Sequence, residues 1–142
     1  MPATVEAVAA AVSAVGAAED VKASTPRIFD VADVLALVDI FVIVSAGSDR
    51  QLKAVADRIE EQLRTEGRKP LHREGSAEAG WLLLDFGDVV CHLFTAEQRE
   101  FYALERLWAD VAELDPYSGE IVVAATPRPA AELLDFDPDD GE

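Results

Sequence analysis

The feature that most constrains the fold is a run of five apolar residues from Ile40 to Val44, four of them β-branched and the fifth aromatic. A continuous run of this kind is typical of a strand that is buried on both faces of a sheet. Ser48 follows, three residues before Gln51, which is the capping-box spacing at the start of a helix. Apolar residues then recur at helical spacing until Gly67, which stands where a C-terminal cap belongs. The sequence thus predicts a strand, a tight turn and a helix over 38–67.

Further strands are expected on both sides of this unit. Residues 81–85 and 88–94 flank the pair Phe86-Gly87, which is the layout of an antiparallel hairpin with glycine in the turn. Residues 27–31 and 70–73 are weaker strand candidates, the first because Pro26 limits pairing there, and 74–80 is expected to be a loop. Together these segments predict an α/β fold with a mixed sheet of about five strands and flanking helices.

Two more helices are expected from apolar spacing. One spans 4–18, with four valines on one face and mostly alanine on the other, and we expect it to dock weakly. The other begins at Thr95, three residues before Gln98, and runs to Ala112. Its predicted apolar stripe consists of Phe101, Leu104, Trp108 and Val111.

The chain of 142 residues has a formal net charge of -16. Affinity for nucleic acid comes largely from Lys and Arg, so the balance argues against a phosphate-gripping surface and favours a basic protein partner. A single cysteine, no basic leader at the N-terminus and no apolar run of membrane-spanning length suggest a cytoplasmic protein. We expect an N-terminal helix and connector at 1–25, a central domain at 26–114 and a flexible acidic tail at 115–142.

Features that resemble catalytic sites have simpler explanations. The turn Gly47-Ser48 before a helix could orient amides toward an anion, but the capping spacing explains it as a turn and an N-cap. A nucleotidyl-transferring enzyme would need closely spaced carboxylates after that turn, and the predicted helix that follows it contains no Asp-x-Asp pair. Asp85 and Asp88 flank a hairpin turn, where aspartate is favoured for turn geometry. We therefore predict no catalytic residues, no metal and no cofactor, with a nucleotide-binding enzyme as the alternative.

Four other side chains are candidates for chemistry or binding. Cys91 and His92 are adjacent in a predicted strand, so they point to opposite faces and cannot form a thiolate–imidazole pair. We interpret Cys91 as a buried apolar residue and His92 as a packed, hydrogen-bonded histidine. Trp81 opens a strand after a loop of small residues, and it is either a core residue or an anchor for a partner. Trp108 is expected in the core because of its helical spacing.

Over 39–110 the sequence resembles the ribosomal silencing factor family, also called the Iojap-related family. The order and spacing of several short motifs carry this resemblance. They read Asp39-x-Phe41-Val-Ile, Ser48-x-Arg50-Gln51, Glu74-Gly75, Trp81-x-Leu-Leu-Asp85-x-Gly87-Asp88-Val-Val-x-His92-x-Phe94 and Arg99-x-Phe101-Tyr102-x-Leu104-Glu105-x-Leu107-Trp108.

The resemblance implies a nucleotidyltransferase-like fold without catalytic carboxylates, and a homodimer. It also implies binding to ribosomal protein fourteen of the large subunit, which would block joining of the ribosomal subunits and lower translation. An acidic protein that docks on a basic ribosomal protein fits the charge argument. Position by position, the implied contact surface consists of Trp81, Leu82, Glu74, Asp85 and Pro70.

Overall fold

The computed structural model describes residues 1–126. In chain order its elements are α1 (Val5–Asp20), β1 (Ser24–Asp30), β2 (Ile40–Ala46), α2 (Asp49–Thr65), β3 (His72–Ser76), β4 (Trp81–Asp85), β5 (Val89–Thr95), α3 (Ala96–Tyr102), a 3₁₀ helix (Leu104–Trp108), β6 (Ala112–Leu114) and β7 (Ile121–Val123). No helix within these residues is both long enough and apolar enough to cross a membrane.

The strands form one mixed sheet in the order β3-β4-β5-β2-β1-β6-β7. The central pair β2 and β5 is parallel, and the other pairs are antiparallel. Every residue of β2 is buried, which confirms the prediction made from its continuous apolar run. The mixed α/β class is also confirmed, but the expected count of about five strands is wrong because the sheet has seven within residues 1–126. The relation to nucleotidyltransferases stays a prediction.

One face of the sheet is covered by α1 and α2, and we call it the covered face. α2 begins as predicted, because Ser48 accepts a hydrogen bond from the Gln51 amide and the Gln51 side-chain oxygen accepts one from the Gly47 amide. The side-chain nitrogen of Gln51 also donates to the carbonyls of Val21 and Lys22 at the end of α1. This one residue therefore ties the two helices together.

The expected orientation of α1 is wrong. Its buried side is the alanine side, with Val15 the only valine among its buried residues, whereas Val5 is 81% exposed. Alanine side chains allow two helix backbones to approach closely, and α1 contacts α2, β2 and β1. The helix is thus packed tightly through small residues, which hydrophobic spacing alone does not reveal. The buried alanines are Ala7, Ala10, Ala11, Ala14, Ala17 and Ala18.

The opposite face, which we call the open face, carries a smaller apolar cluster. Its buried members are Phe29, Val31, Phe41, Ile43, Val90, Phe94 and Val111. Half-buried side chains pack against it from the loop before β2, from β4 and from the 3₁₀ helix. Helices α1 and α2 contribute no member to this cluster, which lies on the side of the sheet away from them.

Several predicted boundaries are corrected by the structure. The last helix does not reach Ala112: α3 ends at Tyr102, Ala103 is left-handed, and β6 follows the 3₁₀ helix. β3 takes up residues expected to form a loop, and β1 starts at Ser24, before Pro26. β7 lies in the stretch expected to be a flexible tail and pairs with β6. Residues 127–142 lie outside the described part, and the division into three segments stays a prediction.

Candidate functional site

Trp81 begins β4 on the open face of the sheet. Its side chain is half-buried and packs against the open-face cluster. The Trp81 ring also lies over Gly75, where a β-carbon would come within 2.7 Å of the ring and 2.3 Å of the Trp81 carbonyl oxygen. Gly75 has a φ of +87°, which glycine adopts without strain. Any other residue at position 75 would therefore clash with the Trp81 ring and strain the backbone.

A cavity of about 240 Å³ opens beside Trp81 on this face. Aromatic rings and one leucine line it, namely Trp81, His92, Phe94, Tyr102 and Leu104. The rings of Phe94 and Tyr102 lie 5.7 Å apart, and Phe101 meets Tyr102 edge-on at 5.2 Å. Phe101 is 78% exposed and Tyr102 is 57% exposed. The open face thus presents an aromatic patch, Trp81–Tyr102–Phe101, of the kind that anchors a protein contact.

The structure brings most of the predicted contact residues to this face. Glu74 pairs with Leu83, and His72 pairs with Asp85, so both acids lie on the same side of the sheet as Trp81. Pro70 immediately precedes Leu71, whose amide donates to the Asp85 carbonyl at the end of the same strand. The acids lower the potential around the patch, which favours a basic partner.

Leu82 is separated from this set. It is 3% exposed and belongs to the cluster on the covered face, because neighbouring residues in a strand point to opposite sides. In this conformation Leu82 cannot present its side chain to a partner, so its expected place on the contact surface is wrong. Leu83, half-buried on the open face, occupies that place instead. The contact role of the other predicted residues stays a prediction.

His92 and Cys91 lie on opposite faces, as expected. Burial raises the pKa of the Cys91 thiol to about 12 and lowers the pKa of the His92 imidazole to about 4, so both are neutral at pH 7. His92 packs edge-on against Phe41, with ring centroids 5.0 Å apart. Neither of its ring nitrogens has a hydrogen-bond partner within the described residues. His92 is therefore packed as predicted, but the prediction that it is hydrogen-bonded is wrong.

The turn at Gly47-Ser48 lies in a different cleft, at the carboxyl ends of the parallel strands β2 and β5. This is where α/β sheets often bind ligands. The cleft has a volume of about 420 Å³, and three carboxylates line it, Asp49, Glu78 and Glu97. Three acids repel a triphosphate, and the Gln51 amide at the start of α2 is already bonded to Ser48. This geometry disfavours the nucleotide-binding alternative.

Asp85 and Asp88 are both engaged in structural contacts. An Asp85 oxygen accepts a hydrogen bond from the Gly87 amide, as expected for a turn residue. Asp88 accepts two hydrogen bonds from the guanidinium of Arg68, at 2.7 and 3.2 Å. Within residues 1–126, no three His, Cys, Asp or Glu side chains are grouped so that they could hold a metal ion.

Trp81 is recognisable from the sequence, but the rest of the cavity wall is not. Tyr102 and Leu104 were expected to lie along a helix, and their place beside Trp81 depends on the break at Ala103. A left-handed alanine leaves no sequence signal comparable to glycine. Gly75 did stand out in the motif Glu74-Gly75, yet its contact with the Trp81 ring becomes visible only in the structure.

Comparison with known proteins agrees with this architecture. A ribosomal silencing factor from Bacillus subtilis is 38% identical over 104 residues, which cover 72% of this chain and 88% of that protein. The chloroplastic protein Iojap of Zea mays is 34% identical over 113 residues, covering 78% of this chain and 48% of that protein. A crystal structure of a protein from Chromobacterium violaceum superposes with a TM-score of 0.69 at 29% identity, over 72% of this chain and 85% of that one.

The family model described as ribosomal silencing factor during starvation matches residues 4–133, which is most of the chain. The match extends beyond the central motifs at both ends, into α1 and past β7. The chain belongs to the ribosomal silencing factor family.

Proposed function

We propose that this protein represses translation by binding ribosomal protein fourteen on the large subunit and sterically blocking the small subunit from joining. Membership in a family named for ribosome silencing supports the general role. The observation that best supports this contact is the aromatic patch on the open face, where half-buried Trp81 lies beside exposed Tyr102 and Phe101. Aromatic side chains at the centre of an interface contribute a large share of its binding energy.

Charge supports a basic partner. The chain has a formal net charge of -16, and Glu74 and Asp85 lie on the same face as Trp81. Opposite charges speed encounter and suppress wrong partners, although they add less to affinity than the buried aromatic contact does. The protein acts in the cytoplasm as a homodimer in this proposal, and sedimentation equilibrium of the purified chain tests the dimer.

Co-sedimentation with isolated large subunits tests the contact. We expect Trp81→Ala to weaken binding by about 2 kcal/mol, or roughly thirtyfold in Kd. Tyr117→Ala is a matched control, because Tyr117 is an exposed aromatic residue whose hydroxyl donates to Glu19 of α1, away from the patch. If the wild-type protein does not sediment with large subunits, the proposal fails. If both variants lose affinity equally, the patch is not the contact.

Subunit joining is tested separately, by light scattering after large and small subunits are mixed. We expect wild-type protein to reduce the amplitude of joining and Trp81→Ala to need a correspondingly higher concentration. Binding without any effect on joining would contradict the steric mechanism and leave the contact intact. Calorimetry with nucleoside triphosphate and magnesium tests the enzymatic alternative, for which we expect no heat of binding.

A further inference from the structure

The residues after α3 cover the open face with a short segment that we call the strap (103–109). Its 3₁₀ helix, Leu104–Trp108, contains no buried residue and has no side-chain cap at its start. Hydrogen bonds in 3₁₀ helices have poorer geometry than those in α-helices. Leu104 and Trp108 nevertheless pack against the open-face cluster, and Trp108 meets Phe41 edge-on at 5.0 Å. The strap is therefore a thin cover over an apolar surface.

With the strap in place, several buried polar atoms have no hydrogen-bond partner. Within residues 1–126, the buried side-chain atoms without a hydrogen-bond partner are both ring nitrogens of His92, one carboxylate oxygen of Glu105 and the indole nitrogen of Trp108. Glu105 and Trp108 belong to the strap, and His92 lies under it, lining the same cavity as Leu104. Buried polar groups are rarely left unpaired, because each loses its hydration without compensation. All of these unpaired atoms would gain partners if the strap lifted.

A hinge and a latch hold the strap in place. Ala103 has a φ of +47°, a left-handed conformation that costs free energy in any residue with a β-carbon. Arg99 in α3 is buried, and its Nε donates to Glu105 in the strap at 3.2 Å. Its Nη1 donates to the carbonyl and hydroxyl of Thr25 and to the hydroxyl of Ser45. Arg99 thus fastens both α3 and the strap to β1 and β2.

The sequence also favours a second arrangement. Phe101, Leu104 and Trp108 recur at helical spacing, which the break at Ala103 interrupts in the structure. If Ala103 became right-handed, α3 would continue into the strap, and the strain at the hinge would be released. That change would break the Arg99–Glu105 contact and the packing of Leu104 and Trp108 against the open-face cluster.

We propose that the strap is a hinged, movable wall of the contact surface, closed by the Arg99–Glu105 latch and opened when a partner inserts beside Trp81. The coupling to a partner rests on the proposed function, because Tyr102 and Leu104 line the same cavity as Trp81. Opening exposes His92 and Trp108, whose unpaired nitrogens can then bond to the partner. The partner selects the open form, so its apparent affinity depends on how much of that form is populated.

Hydrogen exchange of the Trp108 indole N–H tests the opening without any partner. Ala103→Gly favours the closed form for two reasons. Glycine adopts the left-handed conformation freely, and it disfavours the continued helix. We expect the exchange of this N–H to slow about tenfold in Ala103→Gly. Glu105→Ala removes the latch and should speed it severalfold, while amides of β2 and β5 keep their rates. Lys22→Gly is the matched control, because Lys22 is also left-handed, with a φ of +71°, but lies after α1.

Binding of the same variants to isolated large subunits tests the coupling. We expect Ala103→Gly to bind more weakly, Glu105→Ala more tightly, and Lys22→Gly like the wild type. If the Trp108 indole N–H exchanges at the rate of the central strands, or if Ala103→Gly and Lys22→Gly alter it equally, the hinge is overturned. If exchange changes as expected while affinity stays constant, the coupling is overturned. Failure of the wild type to bind overturns the proposed function and leaves the exchange result standing.

Discussion

The two faces of the sheet are covered in different ways. The covered face is packed by two long helices, both with capped N-termini and one tied to the other through Gln51. The open face is covered by a seven-residue helix, a 3₁₀ turn and a loop, with aromatic rings left exposed and polar atoms left unpaired. Stability is therefore concentrated on one side and the proposed contact lies on the other, as expected if surfaces that bind partners come from the less stable parts of a fold.

Adjacent leucines of β4 provide the largest expected contrast between the faces. Leu84 is fully buried under the helices, whereas Leu83 is half-buried on the open face. We expect Leu84→Ala to lower the free energy of unfolding by about 2–5 kcal/mol, because it leaves a cavity in a close-packed core. Leu83→Ala should cost about 1 kcal/mol. Urea denaturation of the two variants measures both values, and equal losses would show that the faces do not differ in packing.

Acid distinguishes the faces through His92. The pKa of the buried imidazole is about 4, and it rises to about 6.5 when the chain unfolds. The unfolded state therefore binds more protons between these values, and stability falls as the pH drops from 6.5 to 4. This group accounts for about 3 kcal/mol of that loss at pH 4. We expect His92→Phe to lose less stability on acidification than the wild type, as measured by urea denaturation at pH 7, 5 and 4.

His72 acts in the opposite sense and serves as the control. Its neighbour Glu74 raises the pKa of the exposed imidazole, so protonated His72 favours the folded state below about 6.5. Replacing His72 with phenylalanine should steepen the loss in acid, or leave it unchanged where solvent screens the pair. If His72→Phe and His92→Phe shift the profile in the same direction, burial of His92 is not the cause.

The alanine side of α1 gives the next effect in size. Ala14 is fully buried on the covered face, while Ala9 on the same helix is exposed. We expect Ala14→Leu to destabilise the protein by about 1–3 kcal/mol, because the added side chain forces α1 away from its neighbours. Ala9→Leu should change the free energy of unfolding by less than about 0.5 kcal/mol. A tolerated leucine at position 14 would mean that α1 docks loosely, as its sequence suggested.

The parts that were predictable from the sequence have strong local signals. The β2 run, the cap at Ser48 and the glycine turn at Gly87 each specify structure within a few residues. The predictions that were wrong concern elements whose structure depends on residues far away in the sequence. α1 buries alanine because α2 lies close, and β7 exists because β6 provides an edge to pair with. Neither fact can be read from the segment itself.

The candidate site also contains some residues that the sequence reveals and others that it does not. Trp81 was identifiable because a tryptophan opens a strand directly after a loop of small residues. Leu82 was misplaced even though alternation along a strand separates it from Trp81, so a local rule could have corrected that prediction. Tyr102 and Leu104 were not accessible to sequence reasoning, because a left-handed alanine at position 103 turns the chain where helical spacing continues.

Substitutions at the helix caps give the smallest expected difference in stability between the two faces. Ser48 accepts a hydrogen bond from Gln51 at 3.1 Å at the start of the 17-residue α2, and Thr95 accepts one from Gln98 at 3.4 Å at the start of the seven-residue α3. Removing a capping oxygen costs about 1 kcal/mol of helix stability. We expect Ser48→Ala to lose about that amount in urea denaturation, because α2 melts only when the whole protein unfolds.

For Thr95→Ala we expect a loss of about 0.5 kcal/mol or less in urea denaturation. A short helix on the open face can fray without the sheet, and the cap then stabilises a local state rather than the whole fold. The same substitution should speed amide exchange within α3, whereas Ser48→Ala alters exchange throughout the helix-covered core. Equal losses of global stability from the two caps would mean that α3 unfolds only together with the sheet, and the open face would then be no softer than the covered one.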